Sequence, residues 1–287
     1  MDSVLTIGVL LKSPSFEQLE WLRDLAQRVS DQEPRVSILA SIHTLEIEVT
    51  QQFPRNTRIM VSPVPLSYDE NVANIAQSAE TPFWMLLGAD DVVDIGELPR
   101  LADFLAEQAP GTQVVALSRR PVRRDLSSVR VGFLSAFVFA SSTSRIAREL
   151  VGRTHGWLHN SIVFRVIGSG GSLVFFDAEI IDEDLQPGFI KPWTRFGEFV
   201  RFQVSFARLV NWLCPNAPFR AALERQSLGR WPFDLFKAVV QGVRLRPSER
   251  RFVRVWFMKQ RREIGLLGVV GTFARQAADA VAGKLSR

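Results

Sequence analysis

Residues 67–91 read SYDENVANIAQSAETPFWMLLGADD, and this stretch decides the fold. Its first part places Val72, Ile75, Ala76 and Ala79 on one stripe of a helix over residues 69–79. Its second part, Thr81 to Leu87, is apolar along its length and suits a strand buried on both faces, which is the strand type of parallel sheets covered by helices. Two adjacent carboxylates, Asp90 and Asp91, follow at once. Neighbouring carboxylates at the end of a buried strand repel each other and resist desolvation unless a cation lies between them. Such hard oxygen donors suit magnesium or manganese bridging a diphosphate. The alternative is that Asp90 or Asp91 caps the helix that follows.

On both sides of this stretch strands and helices alternate. Val4 to Leu11 reads as a strand and Phe16 to Val29 as a helix, with Leu19, Leu22, Leu25 and Ala26 at helical spacing and Ser13 or Ser15 as its cap. Arg35 to Ile42 and Thr57 to Ser62 are strand-like, Asp94 to Glu107 is helical, and Thr112 to Leu117 is a further strand. Phe133 to Ala140 reads as a strand, Ser142 to Leu150 and Ser161 to Ile167 as helices, and Ser172 to Phe176 as a strand after the turn Gly168-Ser169-Gly170-Gly171. This alternation predicts an α/β fold with a mostly parallel sheet flanked by helices. Sheets of this kind place their site beyond the carboxyl ends of the strands, where Asp90 and Asp91 stand.

Composition narrows the classes. The 287 residues include one cysteine, Cys214, which excludes an internal disulfide and a cysteine-built zinc site. The net charge of +5 conceals an asymmetry: Lys191 to Arg287 holds 19 basic and 6 acidic residues, a net of +13, while residues 1–190 hold 16 and 24, a net of −8. Two regions are therefore expected, 1–190 and 191–287. The start of the chain lacks the pattern of a signal peptide, and the longest apolar run of the tail, Ile264 to Ala274, is short of the roughly 20 residues of a membrane span. These features lead to the expectation of a cytoplasmic protein.

The blocks 67–79 and 83–91 together resemble glycosyltransferases of family 2, and the resemblance extends to the first strand and helix and to residues 133–182. Among subgroups the chain looks closest to O-antigen and abequosyltransferase-like bacterial sugar transferases. The resemblance implies a GT-A fold, and the spacing of apolar residues in the tail adds an α-helical C-terminal region. It also implies a nucleotide-sugar donor, a divalent metal (Mg or Mn), a lipid-linked saccharide acceptor and inverting transfer. It assigns the metal to Asp90 and Asp91, with Asp182 in the run Asp182-Glu183-Asp184 as a further ligand or part of a solvated turn. The donor would meet Asp90, Asn71 and Asn74, or these asparagines would be ordinary surface or cap residues. The chain departs from the family after the first two strands, reading Leu10-Leu11-Lys12-Ser13 and Leu39-Ala40-Ser41-Ile42-His43. There Lys12 would touch phosphate or be solvated, Ser41 would border the nucleobase, and His43 would stack on a base or lie on the surface. A non-catalytic GT-A-like protein that binds a saccharide or a protein partner is the alternative.

With Arg165 and the glycine turn as anchors, the resemblance places His159 where the family has its catalytic base, and histidine titrates in the right range for that work. His155 and Trp157 would meet the acceptor, the indole as a sugar platform. Packing under the glycine turn is the competing reading for His155, Trp157 and His159. In the tail, Pro192-Trp193, Phe196, Phe199, Phe202 and Trp212 interleave with Arg195, Arg201 and Arg208, and Arg250 to Arg262 is again basic and aromatic. This composition suits helices lying on an anionic membrane surface at its cytoplasmic face, or packing in a homo-oligomer. Nucleic acid is not expected as a partner, because the aromatics keep core spacing and the front of the chain is acidic.

Overall fold

A computed structural model describes residues 3–43, 52–88, 91–117, 134–154, 157–178 and 180–182. The chain divides into two compact units, Met1–Phe189 with Leu213–Asn216, and Ile190–Trp212 with Ala217–Arg287. All described residues belong to the first unit. The basic tail lies outside them.

The strands are β1 (Leu5–Lys12), β2 (Val36–His43), β3 (Thr57–Ser62), β4 (Phe83–Leu87), β5 (Val92–Val93), β6 (Thr112–Leu117), β7 (Phe137–Ala140), β8 (Ser172–Phe176) and β9 (Ile181–Asp182). The helices are α1 (Phe16–Gln32), α2 (Tyr68–Ser78), α3 (Leu98–Ala106), α4 (Ser144–Leu150) and α5 (Leu158–Gly168). Among the described residues seven strands form one sheet in the order β3-β2-β1-β4-β7-β6-β8, and β5 pairs with β9 in a small second sheet. Only β7 runs against its neighbours β4 and β6. The rest are parallel, so β1, β2, β3 and β4 all end on the same side.

Each element follows from its sequence. All five residues of β4 are buried, as a strand covered on both faces requires. On one face α1 packs Leu19, Leu22, Leu25, Ala26 and Val29, and α3 packs Leu98, Leu101 and Leu105, against Leu5, Ile7, Val9 and Leu11 of β1 and their neighbours. Each leucine buried in this way contributes about 1.5–3 kcal/mol. On the other face α2 approaches β1 so closely that a β-carbon on Gly8 would run into Ile75 Cγ2 and stand 2.9 Å from its Cδ1. Glycine is required there by the close approach. Trp84 is fully buried on Phe139, with ring centroids 4.6 Å apart. Ser15 and Ser67 close full capping boxes with Gln18 and Glu70 at the starts of α1 and α2.

The structure corrects three boundaries. The strand expected over 133–140 is β7 alone, preceded by a tight helical turn at Leu134–Ala136. The helix expected from Asp94 is a short turn, Ile95–Glu97, leading into α3, whose proline sits in the first turn. α5 begins at Leu158, not Ser161, so His159 and Asn160 lie inside its first turn. No helix among the described residues is long and apolar enough to cross a membrane.

Candidate functional site

The carboxyl ends of β1, β2 and β4 form the rim to which the sequence directs attention. After β4 the chain turns sharply: the Asp91 amide donates to the Gly88 carbonyl at 3.1 Å. The Asp91 carboxylate folds back, and its Oδ2 accepts from the Gly88 amide at 3.0 Å and from the hydroxyl of Ser135 in a short hydrogen bond. The Gly88 amide also lies 3.1 Å from Ser135 Oγ. Asp91 is only 5% exposed and Ser135 only 1%. A buried carboxylate that accepts from an N–H and an O–H donor is held in one orientation. Helix capping, the alternative reading of this acidic pair, belongs instead to Asp94, whose carboxylate accepts from the Gly96 amide at 3.0 Å.

Ser135 carried no signal in the sequence. It lies beside the turn because β7 pairs antiparallel with β4, Met85 opposite Val138, so the residues just before β7 sit next to those just after β4. The register of β5 and β9 does the same for Asp182. Val92, next to Asp91, pairs with Asp182, so the backbone brings Asp182 to the acidic turn from 90 residues away. Asp90 and the side chain of Asp182 lie outside the described residues, and among the described ones no cluster of three His, Cys, Asp or Glu is present. The residue types in play, the Asp91 carboxylate at the turn and Asn71 Oδ1, which is buried and unpartnered at the start of α2, are oxygen donors of the kind a hard divalent cation takes.

The other residues named from the sequence divide. Lys12 is exposed at the end of β1, in register with His43 at the end of β2. His43 is not on the surface: it is 6% exposed, and its Nδ1 accepts from the Leu66 amide at 3.3 Å. Burial, and then the charge of Lys12, hold its pKa below the usual histidine value. Ser41 is 3% exposed inside β2, two residues short of the strand's end, and does not join the rim. Asn71 is buried near the start of α2, while Asn74, one turn on, faces out, so the two do not act together.

The block around α5 is the largest correction. His159 is 3% exposed. Its Nδ1 lies 2.8 Å from the Tyr68 hydroxyl and its Nε2 2.8 Å from Asn160 Nδ2. The amide donates to Nε2, so in the neutral ring Nδ1 donates to Tyr68. Burial lowers the ring's pKa to about 3. A ring enclosed in this way does not reach an acceptor hydroxyl, so His159 is not placed as a base. Trp157 is 3% exposed with its face toward His159, ring centroids 6.3 Å apart, so it offers no platform to a sugar. His155 lies outside the described residues. Tyr68, unremarked in the sequence, and Asp69, which accepts from Thr154 at 2.7 Å, instead pin the start of α2 to the segment between α4 and α5.

No family model and no curated protein sequence matches the chain. Solved structures do. S. aureus TarS in complex with UDP superimposes with a TM-score of 0.57 at 8% identity, covering 86% of this chain and 77% of that one. The fold is the GT-A fold. The mannosyltransferase PcManGT from Pyrobaculum calidifontis, in complex with GDP-Man and Mn2+, gives 0.53 at 10% identity over 95% of this chain and 87% of its own. Glucosyl-3-phosphoglycerate synthase from Mycobacterium tuberculosis, with Mn2+, UDP and phosphoglyceric acid, gives 0.50 at 11% identity over 74% and 80%. At these identities the likeness lies in the path of the backbone. The GT-A fold expected from the sequence is the fold observed.

Proposed function

We propose that the chain is a metal-assisted glycosyltransferase that moves a sugar from a nucleotide-sugar donor to a saccharide acceptor. The observation that carries this reading is the acidic turn: Asp91, fixed by Gly88 and Ser135 at the carboxyl end of β4, with Asp182 drawn to it by the β5–β9 pair. Asp90, Asp91 and Asp182 would hold the cation, which when bound neutralises charge on the leaving nucleoside diphosphate. Lys12, exposed at the end of β1, adds a positive charge on the phosphate side of the rim. Gly88 and Ser135 keep the carboxylate oriented before the donor arrives, which lowers the cost of ordering it on binding. The finer reading has three parts: inverting transfer, an O-antigen-type lipid-linked acceptor, and a basic region 191–287 that docks on the anionic inner face of the membrane. It rests on the resemblance and the charge asymmetry.

Calorimetry with UDP-GlcNAc and GDP-mannose, with and without Mn2+, tests the core of the reading. Metal-dependent binding that disappears in Asp90→Ala is the expected result, and failure of a full nucleotide-sugar panel to bind with Mn2+ present would sink it. A second reading, a GT-A-like protein that binds without catalysis, is favoured by one observation: the residue standing in the place of the family's base, His159, is enclosed and neutral. Binding of the donor with no transfer to any acceptor would support it.

A further inference from the structure

Residues 1–190 carry a net charge of −8, yet α4, α5 and their flanks, residues 141–171, hold four arginines and one glutamate, a net of +3. On α4 the exposed Arg145, Arg148 and Glu149 stand at helical spacing opposite the buried Ala147 and Leu150, and Arg153 follows, exposed as well. Between Leu158 and Val166 of α5 every residue is buried except Arg165. Arg145 pairs with Glu149 at 3.0 Å, while Arg148, Arg153 and Arg165 have no ion pair among the described residues. The fold sets these side chains in one layer. The Ser141 amide donates to the Pro82 carbonyl at 2.8 Å, so the chain enters α4 at the amino end of β4. Thr154 donates to Asp69 at 2.7 Å, so the segment after α4 reaches the start of α2. α5 starts at the same place, with His159 on Tyr68, and runs back to β8, whose Ser172 pairs with Thr112 at the start of β6. α4 and α5 are therefore antiparallel neighbours beside α2, and Arg165 returns toward the end where Arg145 stands.

A basic face of this kind fits an anionic surface, and its chemistry chooses among them. Guanidinium groups take phosphate oxygens in pairs of hydrogen bonds and are weakly hydrated. Single-stranded nucleic acid is held by stacking on exposed aromatic rings. Here Trp157 and Phe164 are 3% and 1% exposed and offer no such platform. The side chains beside the arginines are half-buried aliphatic ones, Ile146, Val151 and Ile167, which suit the level of lipid headgroups. Four arginines on a short helical pair reach the cluster size that recognises anionic lipid. α2 adds Glu70 to this layer, and that carboxylate is taken by the Ser67 amide at 2.7 Å. On the opposite face of the sheet α1 holds four acidic and two basic residues, so the field of the unit turns α4 and α5 toward a negative surface. We propose that the outer face of α4 and α5 docks on an anionic phospholipid surface through Arg148, Arg153 and Arg165, independently of region 191–287 and of whether the chain transfers sugar.

The test is sedimentation of the full-length chain with vesicles of phosphatidylglycerol mixed with phosphatidylcholine, beside vesicles of phosphatidylcholine alone and a single-stranded oligonucleotide. One variant carries Arg148→Gln, Arg153→Gln and Arg165→Gln together. The control carries Arg28→Gln and Arg55→Gln, which remove two exposed arginines without ion pairs elsewhere among the described residues. Binding to the phosphatidylglycerol vesicles is expected, and none to phosphatidylcholine alone. Each arginine near the surface is worth about fivefold, so the triple variant should bind on the order of 100-fold more weakly, with the control within about threefold of the native chain. Both variants keep region 191–287, so the ratio between them reports on α4 and α5 alone. Circular dichroism checks folding, and should the triple variant unfold, the single variants decide, at about fivefold each. The proposal is overturned if the native chain does not sediment with phosphatidylglycerol vesicles or sediments equally with phosphatidylcholine alone. It is overturned as well if the triple variant sediments like the native chain or the control. Tighter binding of the oligonucleotide than of the vesicles, lost in the triple variant, would assign the face to nucleic acid instead.

Discussion

Asp91 and His159 are both buried polar residues, 5% and 3% exposed, and each is tied to two neighbouring groups. The partners differ in kind. Those of Asp91 belong to strand termini: the Gly88 amide just beyond β4 and the Ser135 hydroxyl just before β7. Those of His159 are side chains of two helices, Tyr68 at the start of α2 and Asn160 beside it in α5. The carboxylate at the rim of the sheet is held in a fixed orientation by an amide and a hydroxyl at two strand ends, while the imidazole between two helices is kept neutral by burial and becomes a packing group. Strand ends in a parallel sheet open onto a crevice by construction. The first turn of a helix opens onto nothing unless its packed face is turned outward.

That contrast can be broken most directly at Asp91. Replacing it with Ala removes a charged ligand and leaves a buried amide and hydroxyl unpaired; metal-dependent donor binding should fall on the order of 100-fold or more, with about 1–3 kcal/mol of stability lost. Asp91→Asn, which keeps an acceptor for Gly88 and Ser135, should recover most of the stability and none of the metal dependence. Calorimetry and thermal melting separate the two.

His159 should respond to pH rather than to substrate. Its folded pKa, about 3, lies below the unfolded value, so between the two the unfolded state binds more protons. Stability is then full above about pH 6.5 and declines as the pH falls toward 3, by about 1.4 kcal/mol per pH unit for one group. His43, lowered by burial, adds in the same direction. Denaturant midpoints measured from pH 8 to 4 should show a shallower slope in His159→Phe, with transfer retained. A variant of undiminished stability whose turnover alone collapses would restore the histidine as a base.

Ser135→Ala should cost less than the loss of Asp91, about 1.5 kcal/mol of stability and roughly tenfold in metal-dependent donor affinity, since one charged hydrogen bond is removed. Loss of stability with unchanged affinity would reduce Ser135 to a structural role. The smallest effect is expected at Asp94→Ala, about 1 kcal/mol for a lost cap with donor binding untouched. Weakened donor binding there would mean that the acidic run divides its work differently.

Much of the fold was legible because burial leaves periodic marks. The apolar run of β4, the stripe Val72, Ile75 and Ala76 of α2, and the serine cap of α1 each depend on local physics that the chain carries with it. The acidic turn was legible for the same reason, since it follows the most buried strand directly. Ser41 and Trp157 misled because polarity and aromaticity are read from composition, while exposure is set by partners distant in the chain.

The sequence by itself determined the strand and helix order, the α/β class and the place of the acidic pair, all of which follow from hydrophobic period and chain adjacency, while the GT-A class came from the resemblance its motifs carry. Only the tertiary structure decided which polar residues share a site. The antiparallel entry of β7 brought Ser135 to Asp91, and the β5–β9 pairing brought the Asp182 backbone alongside Val92. The packing of α5 on α2 enclosed His159. Contacts between residues scores of positions apart depend on strand register and helix packing, and neither leaves a mark in the residues themselves.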